Sequence, residues 1–214
     1  MADGSKTDIV MMLWLNNRPL EAECGLSIAP NDPLMTDFKN NPGHFFELTD
    51  FDFNLKLDGA DKTAEDQEGS PSAAAGMDFS RWYQYGPRDP AKTVYPVKFS
   101  SGGFERGIDC ASPAIFQCCC EKTAFNKAII VKRLSTGDDA GGPAHPTGYL
   151  KLEFRDVLIT SVSWSDGEMV VEKCEFDCQE VTATYRKQAV HGAIGADGES
   201  KAMWKAPVLA RKPL

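Results

Sequence analysis

The stretch that decides the fold is Phe104-Glu105-Arg106-Gly107-Ile108-Asp109-Cys110-Ala111-Ser112-Pro113-Ala114-Ile115-Phe116-Gln117-Cys118-Cys119. Its first half alternates, with Phe104, Arg106 and Ile108 on one side, which is the period of a strand. Its second half opens with Ser112 followed by Pro113, an N-cap and first-turn pair that starts a helix: the hydroxyl can accept from an orphan N–H, and proline lacks the donor that the first turn leaves unsatisfied. The helix is expected from Pro113 to about Lys122, with Ile115, Cys118, Cys119 and Lys122 at helical spacing toward a sheet and Gln117 and Glu121 outward. No second helix is read elsewhere, so the expectation is one antiparallel β domain, a barrel or sandwich, with a single short helix packed beside it.

Upstream, Ile9 to Leu15 is a continuous apolar run bounded by Asn16-Asn17, which suits a strand buried on both faces. Residues 21 to 43 hold Pro30, Pro33 and Pro42 among Asn and Asp and read as a long irregular connection. Phe51, Phe53, Leu55 and Leu57 alternate with Asp52, Asn54 and Lys56 in a half-buried strand. Asp58 to Gly76 has no apolar periodicity and reads as a long loop. Tyr95, Val97 and Phe99 alternate before Gly102-Gly103, and the glycine pair is read as the turn of a hairpin into Phe104–Ile108, with Pro96 marking an edge.

Lys127 to Leu134 is a strand, residues 135 to 148 a loop, and Tyr149–Phe154 and Val157–Trp164 two further strands. Ser165-Asp166-Gly167 is a tight turn into Met169–Val171. Cys174, Phe176 and Cys178 share one face while Val181, Ala183 and Tyr185 continue in the other phase, so a β-bulge is placed at Gln179-Glu180. The 214 residues are taken as one domain, with irregular insertions at 21–43 and 58–92 and a tail at 186–214.

Composition narrows the function classes. A net charge of −8 argues against a protein that grips phosphate backbones, so no nucleic-acid partner is expected. The charge is uneven: nine acids against two lysines between Glu47 and Asp78, and six bases against two acids from Arg186 onward. The N-terminus carries no signal-peptide pattern, and its apolar run is far shorter than the roughly 20 residues of a membrane span, so the chain is expected to start in the cytoplasm. The seven cysteines are expected as free thiols and no cofactor is expected. Cys118, Cys119 and Cys120 point about 100° apart on a helix and cannot ligate one ion together. Cys174 and Cys178 lie roughly 13 Å apart along a strand. His44, His145 and His191 sit beside Gly or Pro in expected loops, Asp138-Asp139 reads as a solvated pair, and there is no nucleophile elbow or P-loop. No catalytic or metal-binding residue is assigned.

The Phe104–Cys119 stretch resembles the hemolysin-coregulated protein (Hcp) family, the inner-tube subunits of type VI secretion systems, in its strand, Ile-Asp-x-Ala-Ser-Pro, then helix. Tyr149-Leu-Lys-Leu-Glu-Phe-Arg-Asp-Val-Leu-Ile-Thr-Ser-Val-Ser163 is similar to the family's strand pair, and Val181–Tyr185 to its bulged strand. Weaker similarities are Asp8-Ile9, Glu47 to Leu57, and a tail with Lys201 and Trp204. The resemblance implies a β barrel with a helix beside it, six-membered rings stacked head to tail into a tube, a contractile sheath and a spike as partners, effector proteins in the lumen, export without a signal peptide, and no catalysis. Three features depart from it: the two long insertions and the triple cysteine. Stacking is a contact between two different surfaces, and the acidic residues Asp58, Asp61, Glu65, Asp66 and Glu68 set against Lys201, Trp204 and Lys205 are the expected stacking residues. The alternatives are a carrier that never polymerises and a small cysteine-dependent β-fold enzyme.

Overall fold

The computed structural model describes residues 7–29, 31–57, 97–134, 146–188 and 194–205. In chain order the strands are β1 (Thr7–Leu15), β2 (Arg18–Pro19), β3 (Phe46–Leu48), β4 (Asp50–Leu57), β5 (Val97–Gly107), β6 (Phe125–Leu134), β7 (Thr147–Ser165), β8 (Val171–Asp177), β9 (Glu180–Gln188) and β10 (Ile194–Lys205). The helices are α1 (Thr36–Asn40), preceded by a 3-10 turn at Pro33–Met35, and α2 (Ser112–Glu121). All pairings are antiparallel. The mainly β class with a short helix beside it is therefore the architecture observed.

The chain turns corners between two sheet halves at two places. The first half of β7 pairs with β6 and β9, and its second half pairs with β8. The bend falls at Asp156, a non-glycine residue at φ 52, where a left-handed residue re-aims the strand. This corrects the reading of Tyr149–Phe154 and Val157–Trp164 as separate strands: they are one. On the opposite side, β3 pairs with β1 and the chain runs on as β4 to pair with β5, with Thr49 N–H donating to the Glu105 carbonyl at 2.8 Å.

The interval between β8 and β9 is likewise not a bulge within one strand. The chain leaves one half and enters the other there, and Gln179 N–H bonds the Arg155 carbonyl at 3.1 Å, facing the bend of β7. The expected hairpin at Gly102-Gly103 is also absent, because both glycines lie inside the continuous strand β5. A Cβ at Gly102 would fall into the ring of Phe176, its partner on β8, and one at Gly103 would meet the carboxylate of Asp52 on β4. The glycines permit close approach rather than a turn.

The alternation of β1 feeds two cores. Met11 and Leu13 enter the main one, with Phe46, Phe104, Phe154, Val157, Ile159 and Phe176 between the two sheet halves. Val10, Met12 and Trp14 face the other way, onto Met35, Phe38 and Phe45, with Ile129 and Val131 of β6 beside them. The segment expected to hold little regular structure thus supplies the 3-10 turn and α1, and Phe38 plugs the outer face of the β1–β6 pair. Burying each such large side chain is worth about 1.5–3 kcal/mol, which is why β1 is apolar on both faces.

Candidate functional site: the helix junction and the expected assembly residues

Helix α2 is fixed by a buried polar cluster. Arg106 is wholly buried on β5, and each guanidinium nitrogen has a partner at 2.7 Å: Nε to Glu172 Oε2, Nη1 to Asp109 Oδ1, and Nη2 to Ser112 Oγ. Glu172, on β8, is also fully buried; it accepts from Ser112 Oγ at 3.2 Å and from Trp164 Nε1 at 2.9 Å. The guanidinium lies 4.1 Å from the centroid of the Phe46 ring. A buried charge of this kind persists only when its donors and its counter-charges are all met.

The helix start differs in detail from expectation. Pro113 stands in the first turn, but the N-cap position is Ala111, which supplies no side-chain cap, and Ser112 is the first helical residue. Asp109 Oδ1 accepts from Ala111 N–H at 2.8 Å, while Ser112 Oγ accepts from Asp109 N–H at 3.3 Å. The reciprocal pair Asp109 and Ser112 does the work expected of Ser112 alone, in the manner of a capping box. Asp109 Oδ2 also accepts from Glu23 N–H at 3.1 Å, which ties in the segment after β2. Lys122, expected on the helix's buried stripe, is exposed and closes the helix at φ 54, with its N–H returned to Cys118 and Cys119 carbonyls.

The sequence reading placed Arg106 on one strand face with Phe104 and Ile108 without drawing the consequence. A charge flanked by Phe104 and Ile108 on an apolar strand face is the signal that a buried partner exists. Glu172 carried a weaker one, as the acid two residues before Cys174 and Phe176 on the inward face of β8.

Of the expected stacking residues, Asp58, Asp61, Glu65, Asp66 and Glu68 lie outside the described residues, as do His145, His191, Asp138 and Asp139. Lys201, Trp204 and Lys205 lie on β10, a strand the sequence reading left as tail. Trp204 pairs in register with Val181 and packs against the main core, so it faces inward. Lys201 and Lys205 are exposed on the other face, and Lys205 Nζ sits 3.4 Å from Glu180. Lys201 shares a shallow polar depression with Lys151, Glu153, Thr182, Thr184 and Glu199.

Three of the seven cysteines are packing groups, while Cys110 and Cys120 are exposed. Cys118, Cys174 and Cys178 are buried, and burial pushes the Cys174 and Cys178 thiols up to about 12, far from the thiolate a nucleophile or metal ligand needs. Among the described residues no cluster of three or more His, Cys, Asp or Glu is placed to hold a metal ion. Among them, too, no helix is long and apolar enough to cross a membrane.

Residues 89–187 match the family described as type VI secretion system effector, Hcp. Over this stretch the chain is similar to Hcp proteins. The match spans β5 to β9 and therefore the charged groups of the Arg106 junction, while β1 to β4, the cover built from α1, and β10 lie outside it. The Hcp fold extends over nearly all the chain. A solved type six secretion system protein superposes with TM-score 0.61 at 15% identity, over 94% of this chain and 96% of that one. A double mutant of Hcp1 from the E. coli EAEC 042 pathovar gives 0.58 at 12% identity, over 92% and 97%. Hcp1 from Salmonella typhimurium gives 0.53 at 21% identity, over 93% and 94%. No curated protein matches the chain.

Proposed function

We propose that this chain, as one domain, is a structural subunit of a type VI secretion inner tube, closing into six-membered rings that stack head to tail. The family match over residues 89–187 carries the reading, supported by a fold shared with solved Hcp proteins. In this role the chain has no catalytic task. The sheath surrounds the tube, the spike stands at its tip, effector proteins travel in the lumen, and the subunit leaves the cytoplasm by the same route.

The acidic stretch from Glu47 to Asp78 and the basic one from Arg186 onward suit stacking between different faces of successive rings. Electron microscopy and sedimentation of the purified protein test both parts. Rings with an open centre are expected, with stacks that shorten as salt rises because exposed charges are screened over about 10 Å at 0.1 M. A folded monomer at every concentration would remove the tube reading in favour of a carrier that does not polymerise. Stacks indifferent to salt would remove only the electrostatic part.

A further inference from the structure

Eight large apolar side chains are exposed among the described residues, and five of them gather at one corner: Ile108, Phe116, Trp164, Met169 and Val170. The corner joins the end of β5, the outer side of α2 and the β7–β8 turn. Phe116 and Trp164 pack with tilted rings, centroids 5.5 Å apart, Ile108 N–H bonds the Val170 carbonyl at 3.2 Å, and Met169 Cε reaches toward Gly107. Trp164 is 51% exposed and Met169 70%.

The Trp164 ring is nevertheless not free to move, because its Nε1 is held by Glu172 of the buried junction. A rigid, half-exposed tryptophan beside a second aromatic ring is the kind of anchor that concentrates binding energy, since little side-chain entropy is lost on docking. Single exposed hydrophobic residues need no explanation, but five contiguous ones do.

The chain also presents a surface of matching chemistry. On β10, residues 201, 203 and 205 share the face opposite Trp204, so Met203, 66% exposed, lies between the exposed Lys201 and Lys205. Among the described residues β10 pairs only with β9, which leaves it at the sheet's edge. The apolar corner carries the opposite charge on its turn, where Asp166 and Glu168 are exposed beside Met169. One surface is apolar with an acidic rim, and the other sets one apolar side chain between two cations, with Glu199 and Glu180 beside them.

We propose that the occupant of this corner is a second copy of the chain, docked through the Lys201–Met203–Lys205 face of its β10. The contact is heterologous, joining two different surfaces, so it repeats from copy to copy and makes a ring where the rotation closes. It rests on the tube reading above for the ring but not for the pairing itself. It gives Lys201 and Lys205 a lateral partner in Asp166 and Glu168, and leaves stacking to the other bases of the stretch from Arg186 onward.

The test uses the full chain with a benzophenone amino acid in place of Met169, irradiated under assembly conditions and mapped by mass spectrometry alongside microscopy. Cross-links to residues 199–205 of another copy are expected. Rings whose cross-links map elsewhere, or corner to corner, overturn the pairing and leave the tube reading standing. Cross-linked pairs without rings uphold the pairing and remove the tube reading. Absence of any association removes both.

Charge reversal supplies a readout that misfolding does not imitate. Asp166→Lys with Glu168→Lys, or Lys201→Glu with Lys205→Glu, is expected to raise the concentration for half-assembly about tenfold or more, and all four together to restore it. Failure of the fourfold variant to recover while circular dichroism shows it folded overturns the pairing.

Discussion

Arg106 and Arg133 are both buried to within 1% exposure, yet they are held in opposite ways. Around Arg106 every guanidinium nitrogen is matched at 2.7 Å, by two carboxylates and a hydroxyl. Around Arg133, Nη1 donates to the Ser27 carbonyl at 2.8 Å, Nη2 reaches the partly exposed Asp8 at 3.3 Å, and Nε is buried with no partner. Burial pulls the Arg133 pKa down, against the opposing pull of Asp8. The first site is a closed circuit that joins helix to barrel and lies within the family match. The second sits on β6 under the outer cover of residues 21–45; Arg133 itself is within that match, but its partners Asp8 and Ser27 lie outside it, and it is tied to the cover through a single carbonyl. A completed network fixes geometry, whereas an incomplete one mainly tolerates a charge that could be replaced.

That contrast breaks most visibly at Arg106→Met. It strands Glu172 and Asp109 without their counter-charge and is expected to cost about 3–5 kcal/mol, read as a fall in the urea midpoint with early exposure of the Cys118 thiol. A loss under about 1 kcal/mol would mean that the circuit is not the clamp described here. Next in size is Gly102→Ala, which drives a methyl into the Phe176 ring of the main core and should cost about 1–3 kcal/mol by thermal melting; a neutral result would show that the ring can move aside.

Arg133→Met sharpens the comparison from the other side. Because the site is incompletely matched, stability should change by no more than about 1 kcal/mol in either direction, and a collapse like that of Arg106→Met would equate the two sites. The smallest effect concerns Asp37 on α1, which bridges Lys151 at 2.7 Å and Lys127 at 3.5 Å. Burial alone would raise its pKa, but the two lysines outweigh that and hold it below the ordinary carboxylate range. Its contribution is therefore full above the unfolded-state value and fades as pH falls through the depressed folded one. Asp37→Asn should cost about 0.5 kcal/mol at pH 7, and that difference should shrink as acid titrates the wild type; a gap that grew on acidification would contradict the assignment.

Much of this was legible in the chain. The two-sided apolar run of β1, the alternation of β4 and the Ser112-Pro113 helix start all follow from local chemistry that tertiary structure left intact. The misreadings occurred where one local signal has two physical uses. Gly102-Gly103 reads as a turn, but a residue without a Cβ also admits an aromatic ring from the neighbouring strand. Arg155-Asp156 reads as a gap between strands, but a single left-handed residue can bend a strand and keep it paired. At β10 the signal itself was thin: Gly195, Gly198 and the acids Asp197 and Glu199 mask an alternation that only Ala202 and Trp204 carry. The expected assembly residues were chosen from net charge over long stretches and from a resemblance in the tail, and neither can tell Trp204, turned to the core, from its exposed neighbours.

Strand β7, nineteen residues long and shared by both sheet halves, has a mechanical consequence. Any force that separates the halves at that corner must shear hydrogen-bond ladders to β6, β9 and β8 in turn, because one covalent backbone runs through all of them. The corner behaves as a seam that cannot unzip from its end. Slow opening of the barrel is thereby steered away from β7 and toward β10, whose amides should exchange with solvent deuterium well before those of β7.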